Sequence, residues 1–165
     1  MILAIDPGNI ESGIVLLDDE LKPIESGKYI NENVRQELRR NLNKYGHELH
    51  VAIEMVACYG MAVGASVFDT CVWIGRFVEM VELHNMDVTF IYRKDEKLNL
   101  CGSMKAKDSN IVQALIDRFA PNTPNKGKGN KTNKGWFYGF KKDIWQAYAV
   151  GVTYNDMYLG GSNGS

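Results

Sequence analysis

The stretch "LAIDPGNIESGIVLLDD", residues 3–19, runs apolar into a single carboxylate, Asp6, turns through Pro7, Gly8 and Asn9, and resumes as "GIVLL" at 13–17. Short apolar runs bounded by Pro, Gly and Asn read as buried strands joined by a tight turn. A buried strand that ends in a charge sets that charge at the rim of the fold, where it must be solvated, paired or bound to a cation. The same design recurs downstream. "LHVAIE", residues 49–54, is a second short apolar strand closed by one carboxylate, Glu54.

Working outward, "KPIESGKYI" (22–30) mixes polar and apolar residues as a more exposed third strand would. The first three strands therefore form an antiparallel meander. Residues 32–45 carry Val34, Leu38 and Leu42 four apart, which is helical spacing, with Asn31 as N-cap and Gly46 as the stop. Beyond Glu54 comes a loop with Tyr59, Gly60 and Gly64. A long helix over 66–85 follows, bearing Val67, Phe68, Cys71, Val72, Ile74, Gly75, Val78 and Val81. "MDVTFIY" (86–92) is the next strand. Asp108 or Ser109 caps a helix that runs through Phe119, with Ile111, Val112, Leu115, Ile116 and Phe119 on its face. Residues 120–141 hold Pro, Gly, Asn and Lys without periodicity and read as a mobile loop. "KDIWQAYAVGVTYNDMY" closes the fold as a helix with Ile144, Ala147, Tyr148 and Val152 along one stripe. The order β-β-β-α-β-α-β-α-α makes a mixed α/β domain spanning 1–158, followed by a flexible tail, 159–165.

The totals fit one domain: 165 residues, 45% hydrophobic and 24% charged. No apolar run approaches the roughly 18 residues that a membrane helix needs. "MILAIDPG" has no basic segment before its apolar run and does not read as a signal peptide. Cys58, Cys71 and Cys101 are odd in number and widely spaced, which suits packing in a reducing cytosol better than disulfides or zinc. His47, His50 and His84 lie outside the motifs, so no histidine base is assigned. Net charge is −1, but its distribution is uneven. Lys126, Lys128, Lys131, Lys134, Lys141 and Lys142 fall between 122 and 142 without one acid. Such a loop, ending in Trp136, Phe137 and Tyr138, suits a nucleic-acid backbone, with Lys131 and Lys134 on phosphates and the rings on exposed bases. The plain reading is a solvated loop whose aromatics fold back on the core.

Three acids stand out by placement: Asp6 and Glu54 at strand ends, and Asp143 in the first turn of the last helix. If the crossover returns the chain beside the first strand, Asp6 and Glu54 become neighbours and repel unless a cation sits between them. Oxygen-only donors suit Mg²⁺ or Mn²⁺. Taken singly, an Asp at a strand end is more often a turn-former, and an Asp in a first helical turn more often serves the helix dipole.

"ILAIDPGNIESGIVLLD", "VAIEMVACYGMAVG" and the acid opening the last helix together resemble the RuvC-type Holliday junction resolvases, most nearly the small phage and prophage members, within the RNase H-like superfamily. The resemblance covers nearly the whole chain. It implies an RNase H-like mixed five-stranded sheet flanked by helices, and a Mg²⁺-dependent endonuclease that cuts four-way DNA junctions by paired symmetric nicks, leaving 5′-phosphate and 3′-hydroxyl ends. Asp6 would bridge two Mg²⁺ ions (Mn²⁺ substituting), with Glu54 and Asp143 holding one each. One departure is evident. The family commonly carries two aspartates three apart in the third motif, whereas here "DIWQA" has Asp143 and then Gln146. By the same likeness, Lys105 and Lys107 in "GSMKAKDSN" contact phosphate, Tyr59 or Phe68 reaches the junction centre, and the helix 66–85 forms a homodimer seam. Helical spacing alone puts Phe68 on the apolar face instead, and leaves open whether Trp73 and Phe77 face a partner or the sheet. The implied setting is the cytoplasm of a bacterial or phage-infected cell.

Other classes share parts of this pattern. Sugar kinases and actin-like ATPases begin with a similar strand, Asp and Gly-containing hairpin, but need two such domains and are generally much longer. A catalytically silent junction binder, or a relative acting on RNA, flaps or forks, would keep the same fold, since backbone contacts carry no base information.

Overall fold

A computed structural model describes residues 1–160. Its elements are β1 (Ile2–Asp6), β2 (Glu11–Leu17), β3 (Pro23–Ile30), α1 (Asn31–Tyr45), β4 (His50–Met55), α2 (Ala65–Glu82), β5 (Val88–Tyr92), α3 (Arg93–Cys101), α4 (Asp108–Phe119) and α5 (Lys142–Tyr154), the last continued by a π-helical turn, Asn155–Leu159. The strands form one five-stranded sheet in the order β3-β2-β1-β4-β5. The hairpin pairs β1/β2 and β2/β3 are antiparallel, and the crossover pairs β1/β4 and β4/β5 are parallel. The expected mixed sheet and the adjacency of the first and fourth strands are both present.

Strand alternation decides what each face holds. Ile2, Ala4 and Ala52 pack with the apolar residues of α4 and α5, while Leu3, Ile5, Val51 and Ile53 pack with those of α1 and α2. Successive side chains on a strand point to opposite faces. Asp6 and Glu54 continue the even-numbered series, so both turn toward the α5 side. Val34, Leu38 and Leu42 of α1 are buried as their spacing requires.

The β1–β2 turn is fixed by two buried polar side chains. Ser12 Oγ accepts from the Gly8 amide at 3.1 Å and donates to Asn31 Oδ1 at 2.5 Å, and Asn31 Nδ2 donates to the Gly8 carbonyl at 2.8 Å. This corrects one expectation. Asn31 does not cap α1; it is the helix's first residue, and its side chain is spent bracing the turn that follows Asp6. Gly46 does end the helix, at φ +52°, with its amide bonded to the Leu42 carbonyl.

Nor is α4 capped by Asp108 or Ser109: Lys107 precedes the helix as its N-cap, and Asp108 is its first residue. Two further expectations need correction. Residues 93–101 form a helix, α3, that the sequence did not reveal; its mean polarity hides any apolar stripe. Residues 120–141 follow a defined path rather than that of a loose loop. Phe137 and Phe140 are buried beside Trp145 and Tyr148, with Phe137's ring centroid 4.5 Å from that of Trp145 and 5.4 Å from that of Tyr148. Trp136 Nε1 donates to the Tyr148 hydroxyl, which donates to the Leu21 carbonyl, each at 3.0 Å. The plain reading of those aromatics therefore holds for Trp136 and Phe137, which are not free to stack on bases; Tyr138 stays exposed, with Lys134 Nζ 5.0 Å above its ring. Sandwiched between this segment and the sheet, α5 is buried from Ile144 to Tyr154. Leu159, the first residue of the expected tail, packs against that core; residues 161–165 lie outside the described residues. No described helix is long and apolar enough to cross a membrane.

Candidate active site

Asp6 and Glu54 stand one step beyond the paired residues Ile5 and Ile53, so the parallel register of β1 and β4 makes them neighbours. Asp143 is brought to the same rim by a close approach of backbones. Gly13 pairs with Asp6 across the hairpin, and a Cβ on Gly13 would lie 2.4 Å from the Asp143 carbonyl oxygen. Only glycine lets the start of α5 come this near to β2. The Ser12-Gly13 that follows the first motif thus has a mechanical meaning: the serine locks the turn after Asp6, and the glycine admits Asp143.

The electrostatics are those of crowded acids. Burial pushes Asp6 up to about 8, and the charge of Glu54, a hydrogen bond with Glu54 and the charge of Asp143 push the same way, against Arg93. Burial also raises Glu54, opposed by Arg93 and by its hydrogen bond with Asp6. Asp6 therefore keeps its proton toward neutral pH. Asp143 answers the crowding differently: its Oδ2 lies 2.9 Å from Lys28 Nζ, which also reaches Glu11 at 3.1 Å.

Arg93, the residue immediately after β5, enters the same space. Its guanidinium donates to Glu96, Gln146 and Asp108. Glu96 is fully buried, its Oε1 has no hydrogen-bond partner, and burial together with the Glu54 charge pushes it well above the ordinary carboxylate range. Gln146, the neutral residue of the third motif, faces Arg93. Sequence reasoning missed Arg93, Glu96 and Lys28. A usable signal existed for Arg93, since the ends of the other two parallel strands of the sheet, β1 and β4, already carried functional candidates. Glu96 lay in the unread α3, and Lys28 looked like any edge-strand lysine.

Among the described residues, no three acidic, histidine or cysteine side chains converge closely enough as they stand to hold a metal ion. Asp143 is turned to Lys28. The donor set still fits a hard divalent cation. It is all oxygen, three acids sit at one rim, and a buried carboxylate oxygen of Glu96 lacks a partner.

The remaining sequence candidates divide by location. Tyr59 and Phe68 line a largely apolar groove of about 530 Å³ whose walls also include Glu54 and Arg93. They are 62% and 61% exposed, so Phe68 is not on the buried face of α2 as its spacing suggested. The buried face of that helix is instead Thr70, Ile74, Phe77, Met80 and Val81, with Trp73 packed at its edge. Exposed Lys105 and Lys107 lie on the α3–α4 connection, where Lys107 directly precedes Asp108, a partner of Arg93. Lys131 and Lys134 are exposed around a short hairpin bridged at Gly129 and Lys134, apart from the carboxylates in the chain's course.

No family model matches the sequence, and neither does any curated protein. Solved structures do. RuvC of Thermus thermophilus is similar over 94% of this chain and 95% of its own, at 14% identity and a TM-score of 0.65. The T. thermophilus RuvC in complex with a Holliday junction substrate matches over 98% and 96%, at 14% identity and a TM-score of 0.67. The Fowlpox virus resolvase in complex with Holliday junction DNA matches over 95% and 99%, at 16% identity and a TM-score of 0.57. At such identities the likeness speaks for architecture, and it covers both partners almost end to end. The chain therefore has the RNase H-like fold of RuvC, as its motifs led one to expect.

Proposed function

We propose that this protein is a divalent-metal-dependent, structure-selective DNA endonuclease that resolves four-way junctions by paired nicks. The observation that supports this reading is the placement of Asp6 and Glu54 side by side at the ends of β1 and β4, with the start of α5, which carries Asp143, against Gly13 opposite Asp6, in a fold that solved structures share with resolvases captured with Holliday junction DNA. Asp6, Glu54 and Asp143 would hold Mg²⁺, or Mn²⁺ in its place, and the ion would supply charge neutralisation at the phosphate and activation of water.

The chain's own residues have separate tasks. Ser12 and Asn31 hold the turn behind Asp6. Gly13 fixes Asp143 against β2. Lys28 keeps Asp143 paired until a stronger cation competes. Lys105 and Lys107, and further out Lys131 and Lys134, would neutralise DNA phosphates, with a steep salt dependence. Tyr59 and Phe68 offer exposed rings beside the carboxylates, suited to unstacked bases at a strand exchange. The outer side of α2, with Val72 and Gly75 exposed, would pack on a second copy, giving two cuts related by two-fold symmetry. The setting proposed is the cytoplasm of a bacterial or phage-infected cell.

A second reading is supported by Gln146, whose amide stands among the acids without adding charge: a junction-binding protein that does not cut. The deciding experiment is a nicking assay with Mg²⁺ on a synthetic four-way junction, beside linear duplex and a flap. Symmetric nicks in the junction, lost in Asp6→Asn and Glu54→Gln while binding persists, support the nuclease. Tight binding by the wild-type chain without cuts in Mg²⁺ supports the silent binder.

A further inference from the structure

The acids of the site are accompanied by an internal cation. Asp6, Glu54, Glu96 and Asp143 bring four carboxyl groups to one region, and Gln146 adds an amide where α5 faces them. Lys28 touches Asp143 from the exposed edge. Arg93 differs, because it stands inside. Its Nη1 contacts Glu96 and Gln146 and its Nη2 contacts Asp108, so acceptors from α3, α5 and α4 hold one guanidinium.

We propose that Arg93 is a catalytic residue: it binds the scissile phosphate and provides the second positive charge of the site, so that a single divalent ion suffices. This rests on the nuclease reading above. Three observations carry it. First, Gln146 offers Arg93 a neutral oxygen; an amide attracts a second hard cation far less than a carboxylate does. Second, the guanidinium is preorganised. Its three contacts use three of its five N–H protons, which leaves two for phosphate oxygens, in a planar fork suited to them. Third, the Arg93 side chain is not sealed off: it keeps 23% of its surface exposed and lines the same groove as Glu54.

In the hydrolysis, the oxygen of water bonds to phosphorus and the bond from phosphorus to the 3′ oxygen breaks, its electron pair staying on that oxygen. The proton lost by water and the one gained by the 3′ oxygen are exchanged with solvent. Negative charge grows on the non-bridging oxygens meanwhile, and fixed donors aimed at developing charge are where a site gains most. Buried Glu96 holds Arg93 at that place.

The test counts ions and cuts separately. Mn²⁺ is titrated calorimetrically into the full chain, and junction nicking is timed in Mg²⁺, for wild type, Arg93→Met and Arg93→Met/Gln146→Glu. The expected results are one Mn²⁺ per wild-type chain, and a loss of about 10²–10³-fold in nicking for Arg93→Met with junction affinity retained. The double variant should bind a second Mn²⁺ and recover part of the rate. Two ions on the wild-type chain, a count that needs no variant to fold, would overturn the inference and leave the nuclease reading standing. So would nicking by Arg93→Met at the wild-type rate. A wild-type chain that cuts no branched DNA would overturn both.

Discussion

The Asp143 carbonyl oxygen lies 2.4 Å from where a Cβ on Gly13 would stand, so the hydrogen on the Gly13 α-carbon is the spacer that lets α5 meet the sheet. Gly13→Ala must push the first turn of α5 away from Asp6. Overpacking of this kind costs about 1–3 kcal/mol. Displacing a catalytic group by about an ångström costs on the order of 100-fold in rate. Thermal unfolding and junction nicking, measured side by side, should show the variant folded and slow.

The acids predict a pH signature in metal-free protein. Asp6 is raised from 3.8 to about 8, so the folded state holds a proton that the unfolded chain releases. Between those values the folded state binds more protons, and its stability falls as pH rises. The contribution is complete below the unfolded value and is lost as pH passes the folded one. Glu54 and Glu96 are shifted in the same direction and add to the slope. Urea midpoints in EDTA should therefore decline from mildly acidic pH to above 8, and Asp6→Asn should flatten that decline and stabilise the apo protein at the alkaline end. Added Mg²⁺ should do the same for wild type.

Lys28 competes with a metal for Asp143, their contact being 2.9 Å at a partly exposed edge. Exposed ion pairs are screened by solvent and contribute little. Lys28→Met should therefore lower the Mg²⁺ concentration for half-maximal nicking only slightly, with the maximal rate unchanged. Titration of rate against Mg²⁺ checks it.

The segment before α5 separates binding from stability. Replacing exposed Lys131 and Lys134 together with Ala should weaken junction binding and reduce the slope of log affinity against log salt by about 1.8, if each lysine neutralises one phosphate. Unfolding should not change. Phe137→Ala should do the opposite, costing about 3–5 kcal/mol because Phe137 is buried against Phe140, Trp145 and Tyr148.

The parts of this molecule that were legible in its sequence are those governed by short-range rules. Alternation and turn chemistry located β1, β2 and β4, and the repeated strand-then-acid pattern singled out Asp6 and Glu54. Helical spacing found α1, α4 and α5. What escaped is set by tertiary contact. Phe68 and Ile74 read alike on a helix of mixed hydropathy, yet Ile74 meets the sheet and Phe68 faces outward. Phe137 anchors a segment with no period to betray it. Glu96 looked like part of a charged surface run, "RKDEK", until α3 turned it under Arg93. The fourth carboxylate near the site thus comes from a helix that propensity did not disclose.

The most direct measurement is anomalous diffraction from crystals of the protein soaked in Mn²⁺. The account predicts a peak within bonding distance of carboxylate oxygens of Asp6, Glu54 and Asp143, with Asp143 released from Lys28. No peak among those three, in crystals where Mn²⁺ reaches the site, would contradict it.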